Sequence, residues 1–134
     1  MSGKIEKSRE EWRAKLSPEA YRVTRLHATE APFSHDDFPR GPGRFLCICC
    51  GAELFDHAHK YDSGSGWPSF WQPIRAEAIG TATDFRMLMR RTEVHCARCE
   101  AHLGHVFEDG PPPTGLRYCI NGVALRFVPE EGSG

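Results

Sequence analysis

Two Cys-x-x-Cys turns, far apart in the chain, constrain this sequence more than anything else in it: Cys47-Ile-Cys-Cys50 and Cys96-Ala-Arg-Cys99. Two residues between the thiols let a tight turn aim both sulfurs at one point. A second such turn completes a tetrahedron, which suits Zn²⁺ at a Zn–S distance of ~2.3 Å. Gly51 helps the chain leave the first turn. With four protein sulfurs no position is left for water, so one structural zinc per chain is expected. A redox-active Cys-x-x-Cys pair and a four-cysteine iron–sulfur cluster use the same residue types. The repetition of the spacing, each time beside a predicted strand, favours zinc over the first. The second usually spaces its ligands differently. An ion held this way staples distant segments of a small chain and supplies a large share of its stability.

The chain has 134 residues, which fits one domain. Residues 1–134 are read as that domain, with an ordered core over about 8–129. Hydrophobic residues make up 40% and charged residues 26%, which disfavours global disorder. Lys+Arg number 17 against Asp+Glu 18, so no nucleic-acid partner is expected. No apolar run approaches the ~18 residues that span a membrane, and no membrane partner is expected. The first ten residues are charged, without the apolar stretch of a signal peptide. Six cysteines in that context point to metal-binding or reactive thiols in the cytoplasm.

Two short helices are predicted at the start. Ser8-Arg-Glu-Glu11 is a capping box, and Ser17-Pro18-Glu19 places proline at the first helical position. Trp12, Tyr21 and Leu26 are expected to face the core. Residues 31–43 read as loop on their prolines and glycines. From Arg44 onward the pattern is β: Arg44-Phe-Leu-Cys47 and Ala52-Glu-Leu-Phe55 flank the first knuckle. Residues 84–95 carry a period-two pattern through Phe85, Met87 and Met89, and residues 116–128 form another strand region.

Two cysteines, Cys49 and Cys119, lie outside the zinc set. Cys119 sits in Arg117-Tyr-Cys119-Ile-Asn121. Alternate side chains on a strand share a face, so Arg117, Cys119 and Asn121 project together, opposite Tyr118 and Ile120. A neighbouring cation favours the thiolate form of a cysteine. Val123, Leu125 and Phe127 would join that polar face in a straight strand, so a turn or bulge is predicted at Asn121-Gly122. A buried structural cysteine is the commoner fate of a lone thiol. Two further segments shift the balance. His102-Leu-Gly-His105-Val-Phe107 puts two imidazoles close together, either able to act as acid, base or orienting donor. Tyr61-Asp-Ser-Gly-Ser-Gly-Trp67-Pro-Ser-Phe70-Trp71 is a turn followed by aromatics that form either core or a platform for a small soft group.

Together these motifs resemble the B-type methionine sulfoxide reductases, the methionine-R-sulfoxide reductases. The matching stretches are Cys47-x-x-Cys50-Gly, Ser63-Gly-Ser-Gly-Trp-Pro-Ser-Phe70, Cys96-x-x-Cys99, His102-Leu-Gly-His105-Val-Phe and Arg117-Tyr-Cys-Ile-Asn121. They run in the family order across nearly the whole chain. The resemblance implies a mainly β fold: two antiparallel sheets packed together, with short N-terminal helices and zinc on Cys47, Cys50, Cys96 and Cys99. It implies repair of oxidised proteins by reduction of the R epimer of methionine sulfoxide, free or in proteins, as part of the defence against oxidative stress. It places Cys119 as nucleophile and His102 or His105 as proton donor. Arg117 and Asn121 would support the site, and Trp67 and Phe107 would bind substrate, Trp67 packing on its methyl group. Oxygen would pass to Cys119 as a sulfenic acid, which another thiol must reduce.

In one respect the sequence departs from the family pattern. Many members carry a resolving cysteine in the Ser-Gly-x-Gly-Trp loop, where this chain has Ser65. Cys49 is then a bystander, and an external reductant is expected: thioredoxin, glutaredoxin or a small thiol. Two other functions compete. A non-catalytic zinc interaction module explains the knuckles but not Arg117, Cys119 and the histidines. A zinc enzyme acting on thiol adducts would need an open metal position, with Cys49 as a candidate ligand.

Overall fold

The computed structural model describes residues 8–39, 41–84 and 91–130. Both N-terminal helices form where their caps predict. Helix α1 covers Arg9–Lys15, with the reciprocal Ser8–Glu11 capping box. Helix α2 covers Pro18–Leu26, with the Ser17 side chain accepting from the Ala20 amide and His27 closing the helix in the left-handed conformation. Trp12 and Tyr21 are buried as expected, whereas Leu26 is 55% exposed. The buried face of α2 is formed by Ala20, Tyr21, Val23 and Thr24. At ~100° per residue Leu26 stands about 200° around the helix from Thr24 and points to solvent.

The rest is mainly β. Strands β1 (Gly43–Cys47), β2 (Glu53–Asp56) and β9 (Leu125–Pro129) form a three-stranded sheet in the order β2-β1-β9. Strands β3 (Lys60–Tyr61), β4 (Ser69–Phe70), β5 (Ile79–Asp84), β6 (Arg91–Cys96), β7 (His102–Phe107) and β8 (Arg117–Ile120) form a six-stranded sheet in the order β3-β4-β8-β7-β6-β5. All pairings are antiparallel.

One strand prediction needs correction, and one predicted break is found. Residues 84–95 are not one strand: Asp84 ends β5, Arg91 opens β6, and the two pair with each other. The Phe85, Met87 and Met89 alternation lies outside the described residues. Residues 116–128 are two strands in different sheets, divided by a 3₁₀ turn at Gly122–Ala124. That turn is the break the polar-to-apolar parity change requires.

The sheets pack through aromatic rings. Phe45 of β1 meets Phe70 of β4 edge-on at 5.1 Å, and Phe55 of β2 stacks on Phe70 at 4.3 Å. Tyr118 and Ile120 turn into this core. By strand alternation, the residues between and beside them turn the other way.

Candidate active site and metal centre

The two knuckles are copies of one backbone device. In the first, the Cys47 amide donates to the Ala52 carbonyl, and the Gly51 amide to the Cys47 carbonyl. In the second, the Cys96 amide donates to the Ala101 carbonyl, and the Glu100 amide to the Cys96 carbonyl. Gly51 and Glu100 occupy equivalent left-handed positions, at φ 80° and 65°. The four thiols converge: Cys47 Sγ lies 3.6 Å from Cys99 Sγ, and Cys50 Sγ lies 3.7 Å from Cys96 Sγ. All four sulfurs are within 4.8 Å of one another. Sulfurs placed tetrahedrally at ~2.3 Å from one ion stand ~3.8 Å apart, so the set fits a metal without rearrangement. Arg25 donates to the Cys99 carbonyl at 3.0 Å and lies 3.5 Å from its sulfur, a cation beside the thiolates a metal would gather. Cys47 ends β1 and Cys96 ends β6, so the cluster joins the two sheets.

The second site lies on the outer face of the six-stranded sheet. Cys119 of β8 is directly opposite Ser69 of β4 on one side and His105 of β7 on the other. His105 is in turn opposite Glu93 of β6. Directly opposed residues share a face, so Ser69, Cys119, His105 and Glu93 form one row across the sheet. Two residues along β8, Arg117 is opposite Phe107, and its guanidinium lies 4.5 Å from that ring. Gly104 is opposite Ile120, and its backbone lines the pocket beside Cys119. A Cβ there would sit 2.0 Å from the Cys119 carbonyl oxygen, so only glycine allows β7 this close to β8.

A pocket of about 250 Å³ opens on this face, with Cys119, His105, Arg117, Asn121, Trp67 and Phe107 on its walls. Burial pushes the half-buried Cys119 thiol above its ordinary value, while the Arg117 charge and a hydrogen bond from Ser65 pull it down. Arg117 is held by a bidentate pair to Asp109, at 2.9 and 3.1 Å. Trp67 donates its indole N–H to the Glu30 carbonyl at 3.0 Å. Asn121 is buried; its Oδ1 accepts from the Glu30 amide, and its Nδ2 donates to the Leu103 carbonyl.

His102 is placed differently from His105. It is only 1% exposed and stands behind the pocket wall. The strand register shifts between Val94 and His95, so His95 pairs with His102 while Val94 pairs with Gly104. The bulge at Leu103 flips the parity, so His102 and His105 share a face despite their three-residue spacing. Their rings meet edge-to-face at 5.5 Å. Burial holds the His102 imidazole down to about 4, against the opposing pull of Glu93.

Thus the predicted residues Cys119, His105, Arg117, Asn121, Trp67 and Phe107 come together, with His102 one layer behind. Cys49 is 1% exposed, within the first knuckle. The sequence reading missed four contributors: Thr29, Glu30, Arg91 and Glu93. Thr29 and Arg91 line the pocket. Glu30 is 4% exposed and accepts from the Gly122 and Val123 amides at 2.8 and 2.9 Å, capping the turn after Cys119. Burial raises its carboxyl pKa. Arg91 and Glu93 carry the same signal that exposed Arg117 and Cys119: polar side chains at alternate positions of a strand. Thr29 and Glu30 sit in a loop, where no periodicity marks them.

Residues 16–129 match the SelR domain family. The chain belongs to it. These are the B-type methionine sulfoxide reductases, and the likeness covers almost the entire chain. The protein is 58% identical to the peptide methionine sulfoxide reductase MsrB of Pseudomonas fluorescens strain Pf0-1, over 96% of this chain and 98% of that one. It is 56% identical to the MsrB of Pseudomonas putida strain W619, over 97% and 98%. With the MsrB of Hahella chejuensis strain KCTC 2396 the identity is 51%, over 96% and 94%. Membership makes the chain an oxidoreductase of the methionine sulfoxide reductase class. Among the described residues no helix is long and apolar enough to cross a membrane.

Proposed function

We propose that this protein is a cytoplasmic, single-domain enzyme that reduces the R epimer of methionine sulfoxide in oxidised proteins, and the free amino acid where it fits. The observation that carries the reading is the position of Cys119, half-buried on the wall of a small pocket with His105, Arg117 and Trp67 beside it. Trp67 offers an aromatic face to the substrate's S-methyl group, and Phe107 closes the pocket beside Arg117. The Cys119 thiolate attacks the electrophilic sulfoxide sulfur, and Arg117 favours that thiolate. The sulfoxide oxygen takes a proton from His105, with His102 behind it. Oxygen ends on the Cys119 sulfur as a sulfenic acid, and methionine leaves.

An external thiol then reduces the sulfenic acid: thioredoxin, glutaredoxin or a small thiol. Ser65 stands in the loop, and Cys49 is buried in the first knuckle off the pocket wall, so among the described residues no second thiol lines the pocket. Cys47, Cys50, Cys96 and Cys99 would hold one Zn²⁺, which supplies folding energy and no chemistry of the reaction.

Anaerobic single-turnover reduction of the separated R and S epimers of a blocked methionine sulfoxide tests the reading. The expected result is stoichiometric reduction of the R form alone, abolished in Cys119→Ser. Reduction of neither epimer by folded, zinc-loaded protein would leave the zinc interaction module as the better account.

A further inference from the structure

Behind the pocket lies a group the reaction has not used. Glu93 Oε2 is 2.6 Å from His102 Nδ1 and 2.9 Å from His27 Nδ1. The two imidazoles stack at 5.0 Å. His27 arrives from the left-handed end of α2, Glu93 from β6 and His102 from β7. Glu93 is also the cross-strand partner of His105, which is the partner of Cys119. A carboxylate accepting from Nδ1 fixes the tautomer of a neutral imidazole, leaving Nε2 as a lone-pair acceptor. His102 Nε2 is buried and has no hydrogen-bond partner among the described residues. A buried ring packed only for shape gains nothing from an unsatisfied nitrogen, which costs free energy. The ring itself packs edge-to-face on the proposed proton donor, His105, at 5.5 Å.

We propose that Glu93 is a positioning residue for the reduction: by accepting from His102 Nδ1–H it locks the orientation and tautomer of the imidazole that packs against His105. The held ring meets His105 edge-to-face at 5.5 Å and so fixes the His105 ring at the pocket. This rests on the proposed function above. The groups that act on His102 are Glu93, which pulls its proton affinity up, and His27 and His105, which push it down. His27 shares the carboxylate and closes it off on the helix side.

The test uses zinc-loaded wild type and Glu93→Gln, with methionine-R-sulfoxide as substrate and excess dithiol as reductant. The amide can still accept from Nδ1 but carries no charge. The expected loss is about 10- to 100-fold in kcat, the range typical of partners behind a working histidine, with KM within about twofold. The wild type should also show a low-field proton resonance for His102 Nδ1–H, displaced in Glu93→Gln. Unchanged kcat in Glu93→Gln would overturn the proposal. So would absence of the resonance in wild type, which does not depend on how the variant folds. Reduction of neither epimer by wild type would overturn the proposed function and this inference together; an active wild type with an indifferent Glu93→Gln would overturn this inference alone.

Discussion

Arg117 and Cys119 are two residues apart on one strand, and that spacing makes a thiol into a candidate nucleophile. Burial opposes ionisation of Cys119, and the Arg117 charge and the Ser65 hydroxyl offset part of that opposition. Arg117→Ala removes the larger of the two offsets. The pH midpoint of Cys119 alkylation by iodoacetamide should therefore rise in the variant, with less reaction at neutral pH. His102 gives a second prediction with a definite sign. Its folded-state value is held down to about 4 from an ordinary 6.5, chiefly by burial. The stability it contributes is complete above pH 6.5 and is lost as pH falls toward 4, because only the unfolded chain takes up the proton in that window. Denaturant titrations at a series of pH values should show wild type losing stability there at up to about 1.4 kcal/mol per pH unit more than His102→Gln.

At the scale of elements, the two knuckles explain why so much of the metal centre could be read in advance. The Cys-x-x-Cys spacing dictates a local turn, and the same two hydrogen bonds recur in both copies. They differ at the left-handed residue, Gly51 in one and Glu100 in the other. An L-residue there carries a conformational cost that glycine does not, of about 1 kcal/mol. Glu100→Gly should raise thermal stability by up to that amount, measured as a shift in Tm at unchanged zinc content. The capped helices and the break after Asn121 were legible for similar reasons, since capping boxes and parity changes are local. The bulge at Leu103 was not. His-x-x-His on a regular strand would face two ways, and only the pairing with β6 shows the slip that turns both rings to one side. Glu30 stayed hidden because its partners, Gly122 and Val123, lie far along the chain.

At the scale of the molecule, the cysteine cluster and the thiol pocket divide the work. Cys47 belongs to the small sheet and Cys96 to the large one, so an ion held by the four cysteines would fasten the core whose opposite face carries Cys119. The fold class followed from the sequence because these motifs and the family resemblance agree. The strand order did not, since β8 and β9 are neighbours in sequence but lie in different sheets. Removing zinc should cost this chain most of its stability, because structural zinc supplies ~10–16 kcal/mol of apparent binding energy in small metal-stapled domains. Chelation under mild denaturation should lower Tm sharply and abolish activity in step with loss of structure, and zinc should restore both. Loss of activity in chelated protein that stays fully folded would instead point to a catalytic metal.

The most direct test of the central claim is the chemical state of Cys119 after one turnover. Protein mixed with one equivalent of methionine-R-sulfoxide, without reductant, can be trapped with a sulfenic-acid-selective nucleophile and digested for mass spectrometry. The account predicts one trapped sulfenic acid, on the Cys119 peptide, with Cys49 still a free thiol and the zinc retained. A Cys49–Cys119 disulfide, or methionine formed while Cys119 stays unmodified, would contradict it.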